Sequence, residues 1–108
     1  MVTIHRFDVL LISLDPTQGY EINKTRPCLV ISPDEINRFL QTIIVAPMTT
    51  KGRDYPTRVA VDFAGKQGQV VLDQIRTIDK SRVAKKLGSI SALEAKAVLN
   101  ILQRLFAE

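Results

Sequence analysis

The 108-residue sequence is poor in the residues behind much familiar chemistry: it has one cysteine, one histidine and no tryptophan. A single cysteine excludes an intramolecular disulfide framework, and with a single histidine it excludes an ordinary Cys/His zinc site. A Ser-His-Asp or Cys-His hydrolase would have to be built on His5, near the start of the sequence. Aromatic residues are only 6% of the total, which argues against a broad aromatic binding platform. No run approaches the roughly 20 apolar residues that span a bilayer, and residues 1–6 lack the charged-then-apolar layout of a secretion signal. The expectation is a cytoplasmic protein with no membrane partner, no metal and no other cofactor. Its chemistry would rest on Arg, Lys, carboxylates and hydroxyls.

What is present has the balance of one globular domain over residues 1–108, with 45% hydrophobic and 24% charged residues. The net charge of +4 is unevenly spread. Residues 1–50 hold four basic and five acidic side chains, and residues 51–108 hold eleven and six. The segment 76–86 holds five basic residues, Arg76, Lys80, Arg82, Lys85 and Lys86, against Asp79 alone. A basic half fits a polyanion such as nucleic acid. It fits a solvated basic surface equally well.

Apolar periodicity predicts strands over residues 7–14, 27–32, 42–46, 58–63 and 69–73, the last continuing towards Ile78. Pro27 would open the second strand and Pro47 would stop the third. A helical turn is expected over 33–39, capped by Ser32 with Pro33 at its first position. Residues 17–25 and 48–57 read as polar loops and 64–68 as a turn. The clearest helix is the last. Ser91-Ala92-Leu93-Glu94 is a capping box, and Val98, Ile101, Leu102 and Leu105 form an apolar stripe at helical spacing. Several short strands followed by one terminal helix predict a mostly β small barrel with a C-terminal α-helix packed on it.

Five motifs occur in order along the chain: Leu14-Asp15-Pro16-Thr17; Gly19 with Glu21; Arg26-Pro27; Pro47-Met48-Thr49-Thr50; and Asp73-Gln74-Ile75-Arg76-Thr77-Ile78-Asp79. Together they resemble the MazF/PemK toxins of type II toxin–antitoxin systems. The resemblance implies a small SH3-like barrel, a homodimer and a metal-independent endoribonuclease that cuts single-stranded messenger RNA. It also implies inhibition by a cognate antitoxin. The sequence departs from the family pattern at several points. Phe7 stands where the family usually has Gly after Arg6. Glu21-Ile22-Asn23-Lys24 replaces the Glu-Gln-x-Gly loop of some members. Tyr20 and Val71 stand where one branch has a His and an Arg.

Metal-free cleavage of RNA needs a base for the 2′-hydroxyl, an acid for the leaving oxygen and donors for the phosphate oxygens. Arg26 suits the phosphate, because a guanidinium stays charged and grips two oxygens in parallel. Thr49 offers a stiff hydroxyl, with Thr50 as its alternative. Glu21 is the candidate base, and a protonated Asp73 the weaker candidate acid. Lys24, Lys51 and Arg53 are candidate phosphate contacts, Asn23 and Gln74 candidate readers of base edges, and Tyr20 a candidate stacking platform.

Each has a structural alternative. Arg26 would bridge to an acid, Asp73 would pair with Arg76, and Arg76 and Asp79 would hold backbone groups. Cys28 reads as a small buried hydrophobe and His5 as a surface residue. Two other functions stay open: a CcdB-like gyrase poison and a non-catalytic RNA-binding barrel.

Overall fold

In the central strands successive apolar side chains point to opposite faces, and each face has its own hydrophobic cluster. The computed structural model describes residues 3–50 and 54–108. Val9, Leu29 and Ala46 join one cluster, while their neighbours Leu10, Cys28, Val30 and Val45 join the other. Burial on both faces explains why these segments read as nearly continuous apolar runs rather than alternating ones.

The strands are β1 (Asp8–Ser13), β2 (Thr25–Val30), β3 (Thr42–Thr49), β4 (Arg58–Phe63), β5 (Lys66–Val71), β6 (Arg76–Asp79) and β7 (Val83–Ser89). A short helix α1 (Asp34–Phe39) precedes β3, and helix α2 (Ala92–Phe106) closes the chain. The pairing order is β4-β5-β3-β2-β1-β7, with β6 also on β3. The two ends of this order approach each other. A Cβ on Gly88 of β7 would lie 3.3 Å from the Phe63 ring of β4. The sheet therefore curls into a half-barrel, the mostly β architecture with a C-terminal helix that the sequence predicted.

The capping box forms as expected. The Glu94 N–H donates to the Ser91 hydroxyl at 3.2 Å, and the Ser91 N–H donates to Glu94 Oε1 at 3.0 Å. Glu94 Oε2 also accepts from the Asp62 N–H at 2.8 Å, so one carboxylate caps α2 and clamps it to β4. Burial raises the Glu94 pKa, and the hydrogen bonds from Ser91 and Asp62 outweigh it, leaving the carboxyl below its usual range. Val98 is fully buried, and Ile101 and Leu102 pack against the same core. Leu105, at the end of the predicted stripe, is 37% exposed, so the helix face lifts off the sheet there.

Several boundaries differ from expectation. Pro47 does not stop β3; it is the last residue paired with β2, opposite Cys28. On the other edge it falls between the β6 pairing, which ends at Val45, and the β5 pairing, which begins at Met48. A missing donor is tolerated in such a gap. Ser32 does not cap α1: its hydroxyl instead donates to Asn37 Oδ1 and accepts from the Ile44 N–H. The 64–68 turn shortens to Ala64 and Gly65, since Phe63 already pairs with Lys66. The strand expected over 69–78 is broken by a 3₁₀ turn at Leu72–Gln74. Strand β7 was not anticipated, because its mostly exposed sequence lacks an apolar alternation.

Phe7 and Lys24 both have φ in the left-handed region, at 74° and 69°. A side chain there costs energy that glycine does not incur. Lys24→Gly is expected to raise stability by about 1 kcal/mol, read as a higher urea midpoint with unchanged slope. A lower midpoint would show that the Lys24 side chain stabilises the loop by more than its backbone strains it.

Candidate active site

The open side of the half-barrel carries a cleft of about 500 Å³. Strand β2 supplies Arg26 and Pro27, β3 Met48 and Thr49, and β4 Val61 and Phe63, while Lys66 and Gly68 come from β5 and Leu87 from β7. Thr50 adds a second hydroxyl to the wall. The cleft thus combines two cations and two hydroxyls with an apolar floor, and no acidic residue lines it among the described residues. That combination fits an anion attached to a flat apolar group.

The juxtaposition of Arg26 and Thr49 follows from strand register. Cys28 pairs with Pro47, Leu29 with Ala46 and Val30 with Val45. Continued past the last rung, the same register sets Arg26 opposite Thr49. The two strands diverge there, because β3 turns to β5 through Met48–Val70 and Thr49–Gln69 while β2 stays on β1. Gly68 permits this close approach: a Cβ on it would sit 3.0 Å from the Thr49 carbonyl oxygen. The Arg26 Nε–H donates to the Asn23 carbonyl at 2.9 Å. This fixes the guanidinium plane through Nε alone, with the terminal nitrogens bonded to none of the described residues.

None of the other candidates that the structure describes lines the cleft. Glu21 is exposed in the β1–β2 loop and its Oε1 accepts from the Gln18 N–H at 2.6 Å. Tyr20 is fully exposed in the same loop, and Asn23 and Lys24 beside it are exposed. Lys51 and Arg53 lie outside the described residues. The Gln74 side chain is bonded to the loop backbone: Oε1 accepts from the Ile22 N–H at 2.8 Å, and Nε2 donates to the Tyr20 carbonyl at 3.5 Å.

Asp73 pairs with Arg58, not Arg76. Its carboxylate accepts from Thr57 Oγ1 at 3.0 Å and from Arg58 Nε at 3.3 Å, and the Arg58 guanidinium stacks on Tyr55 at 4.9 Å. Burial raises the Asp73 pKa, but the hydrogen bonds from Arg58 and Thr57 more than reverse it and hold the carboxyl below its usual range. An ionised group held this way is a poor proton donor, so the geometry disfavours the protonated Asp73 considered as an acid. Arg76 donates to the Leu14 carbonyl at 3.1 Å, and Asp79 accepts from the Ser81 N–H at 2.8 Å. Both hold backbone, as expected. Burial pushes the Cys28 thiol up to about 12, which fits an inert hydrophobe. His5 is half exposed, 4.0 Å from Asp8.

Sequence reading missed Lys66 and Leu87. Lys66 follows a hairpin turn, where charged residues are ordinary, and Leu87 belongs to the unanticipated β7. Only the curl of the sheet brings them to Arg26.

A family model described as PemK-like, MazF-like toxin of type II toxin–antitoxin system matches residues 5–106. The chain is 35% identical over 105 residues to Endoribonuclease MazF of Staphylococcus saprophyticus subsp. saprophyticus, covering 92% of this chain and 88% of that protein. Among solved structures, MazF of Deinococcus radiodurans superposes with a TM-score of 0.86 at 27% identity, over 97% of both chains. A MazE–MazF crystal structure from Deinococcus radiodurans matches in fold, with a TM-score of 0.81 at 23% identity over 99% of this chain and 98% of that one.

The Asp73–Arg58 pair carries a pH signature. A carboxyl whose folded pKa is depressed adds stability above its unfolded value, near 3.8, and that stability is lost as the pH falls through the lower folded value. Asp73→Asn is expected to lower the denaturation midpoint at pH 7, with the gap to wild type closing below pH 3.8. A gap independent of pH would remove the charge of Asp73 from the stability of the 3₁₀ turn.

Proposed function

The chain belongs to the PemK-like, MazF-like family of toxins of type II toxin–antitoxin systems, and from that premise we propose that it is an endoribonuclease that cuts single-stranded messenger RNA without a metal. The observation that carries the reading is that Arg26 and Thr49, from two different strands, line one cleft.

In this scheme the ribose 2′-oxygen attacks the adjacent phosphorus. The bond from phosphorus to the 5′-oxygen breaks, giving a 2′,3′-cyclic phosphate and a 5′-hydroxyl. The terminal nitrogens of Arg26 hold the non-bridging oxygens, whose charge grows in the transition state, and Thr49 adds a hydroxyl donor. Glu21 takes the proton of the 2′-hydroxyl when the β1–β2 loop folds over the substrate, and water supplies the proton that the departing 5′-oxygen needs. Lys66 holds a neighbouring phosphate, as do Lys24, Lys51 and Arg53 along the strand. Tyr20, already exposed, stacks on an unpaired base. Asn23 contributes an amide to base recognition.

The working unit is a homodimer in the cytoplasm; no helix among the described residues is long and apolar enough to cross a membrane. A cognate antitoxin, disordered when alone, lies across the same groove with its acidic side chains against Arg26 and Lys24. Free of it, the toxin stops growth by destroying messages.

Incubation of the purified protein with a long RNA is expected to give discrete cuts with cyclic phosphate and 5′-hydroxyl ends. Cleavage should persist in EDTA and fail where the cut-site 2′-hydroxyl is replaced by hydrogen. Arg26→Ala should lower the rate by about 10²–10³-fold, the effect of removing one transition-state donor. Normal cleavage by that variant would make Arg26 structural. RNA binding without cleavage by the wild type, or trapping of gyrase on DNA, would replace the reading with one of the two rivals.

A further inference from the structure

We propose that Gln74 is a positioning residue that presents Glu21 to the RNA by holding the β1–β2 loop from outside it. The proposal rests on the endoribonuclease reading and deepens it. The Gln74 amide straddles Glu21: it accepts from the backbone N–H of Ile22 on one side at 2.8 Å and donates to the carbonyl of Tyr20 on the other at 3.5 Å. These partners are 52 and 54 residues away in sequence. Inside the loop, the Glu21 side chain and backbone return only to Gln18, at 2.6 and 3.1 Å. Gln74 therefore ties the segment around Glu21 to the body of the fold.

The anchor is itself rigid. Gln74 ends the 3₁₀ turn Leu72–Gln74. Leu72, at the start of the turn, is fully buried, and its N–H donates to the Thr57 carbonyl at 3.2 Å. Asp73, in the middle, is held by Thr57 Oγ1 and Arg58 Nε. The order of support runs from β4 through Asp73 and Gln74 to the loop. An amide is the fitting side chain here, because it accepts and donates at once; a carboxylate keeps only the acceptor and a thioether keeps neither. Ile22 also packs against the core and Arg26 holds the Asn23 carbonyl, so the Gln74 amide adds the tie on both flanks of the reacting carboxylate that keeps that group in place for the ribose.

The test uses Gln74→Met, Gln74→Glu and Glu21→Gln in the full chain, with two readouts. Trypsin cleavage at the Lys24–Thr25 bond, followed by mass spectrometry, reports loop order without any reaction. It should accelerate in Q74M and stay near wild type in Q74E, which retains the acceptor for Ile22. Cleavage of a defined RNA should fall roughly tenfold in kcat for Q74M, with KM little changed and cut positions unmoved. In the E21Q background the same substitution should cost less than about twofold, because the residue through which it acts is already lost.

Unchanged trypsin rates in Q74M would overturn the proposal. So would an E21Q variant as active as wild type, or losses that multiply in the double variant with shifted cut positions, the mark of a direct base contact. Should the wild-type chain fail to cut RNA, the functional reading falls, while the trypsin rates still decide whether Gln74 holds the loop.

Discussion

The register between β2 and β3 is the constraint on which the candidate site depends. Three rungs, Cys28–Pro47, Leu29–Ala46 and Val30–Val45, fix it. A slip of one residue would turn every side chain of β3 to the opposite face. It would exchange Ile43 and Val45 for Ile44 and Ala46 in the two clusters, and it would move Thr49 away from Arg26. The packing that selects the register therefore also sets the distance between a guanidinium and a hydroxyl that are 23 positions apart in the sequence. The divergence of the two strands beyond Pro47 opens the space where a phosphate would sit. The site is a by-product of how the sheet changes partners.

Most of the frame was legible because it rests on local patterns. β4 has its predicted bounds, since Val59 and Val61 alternate with exposed Ala60 and Asp62. The capping box needed only Ser91 and Glu94 at their spacing. The motifs around Arg26 and Thr49 pointed to residues that the fold does bring together. What was not legible depends on the third dimension. The partner of Asp73 could not be read, because Arg58 and Arg76 are both plausible until β4 is seen to lie alongside the 3₁₀ turn. The role of Gln74 was hidden for the same reason: an amide suits a base edge and a backbone alike, and only the location of the β1–β2 loop decides which is nearer. Pro47 misled because a proline is normally a stop, and the gap between the β6 and β5 pairings has no sequence signature.

Phe7 and Lys24 show how a chain can hold, without glycine, a backbone shape that glycine favours. At both positions φ is positive, and at both the surrounding backbone is tied down. The Phe7 N–H donates to the Val30 carbonyl at 2.8 Å, and its own carbonyl accepts from Ile90. The Lys24 N–H donates to Asp15 Oδ1 at 3.0 Å, and its carbonyl accepts from Leu14. Strain of this kind persists where neighbours over-determine the conformation. Phe7 adds a compensation that glycine lacks, since its ring packs against the core cluster under α2. Lys24 is exposed and packs on neither core cluster among the described residues.

That contrast bears on what the β1–β2 loop is for. This loop carries a lysine in a strained conformation, a fully exposed tyrosine and a glutamate whose hydrogen bonds are all local among the described residues. On the endoribonuclease reading proposed above, its cation, ring and carboxylate would take their partners from a polyanion with unpaired bases lying in the cleft. Arg26 sits at the junction, its Nε–H bound to the Asn23 carbonyl of the loop while its body belongs to β2. The same guanidinium therefore joins the rigid half of the site to the adaptable half. On the proposed reading, ordering the loop over a substrate and orienting the phosphate donor would then be one event.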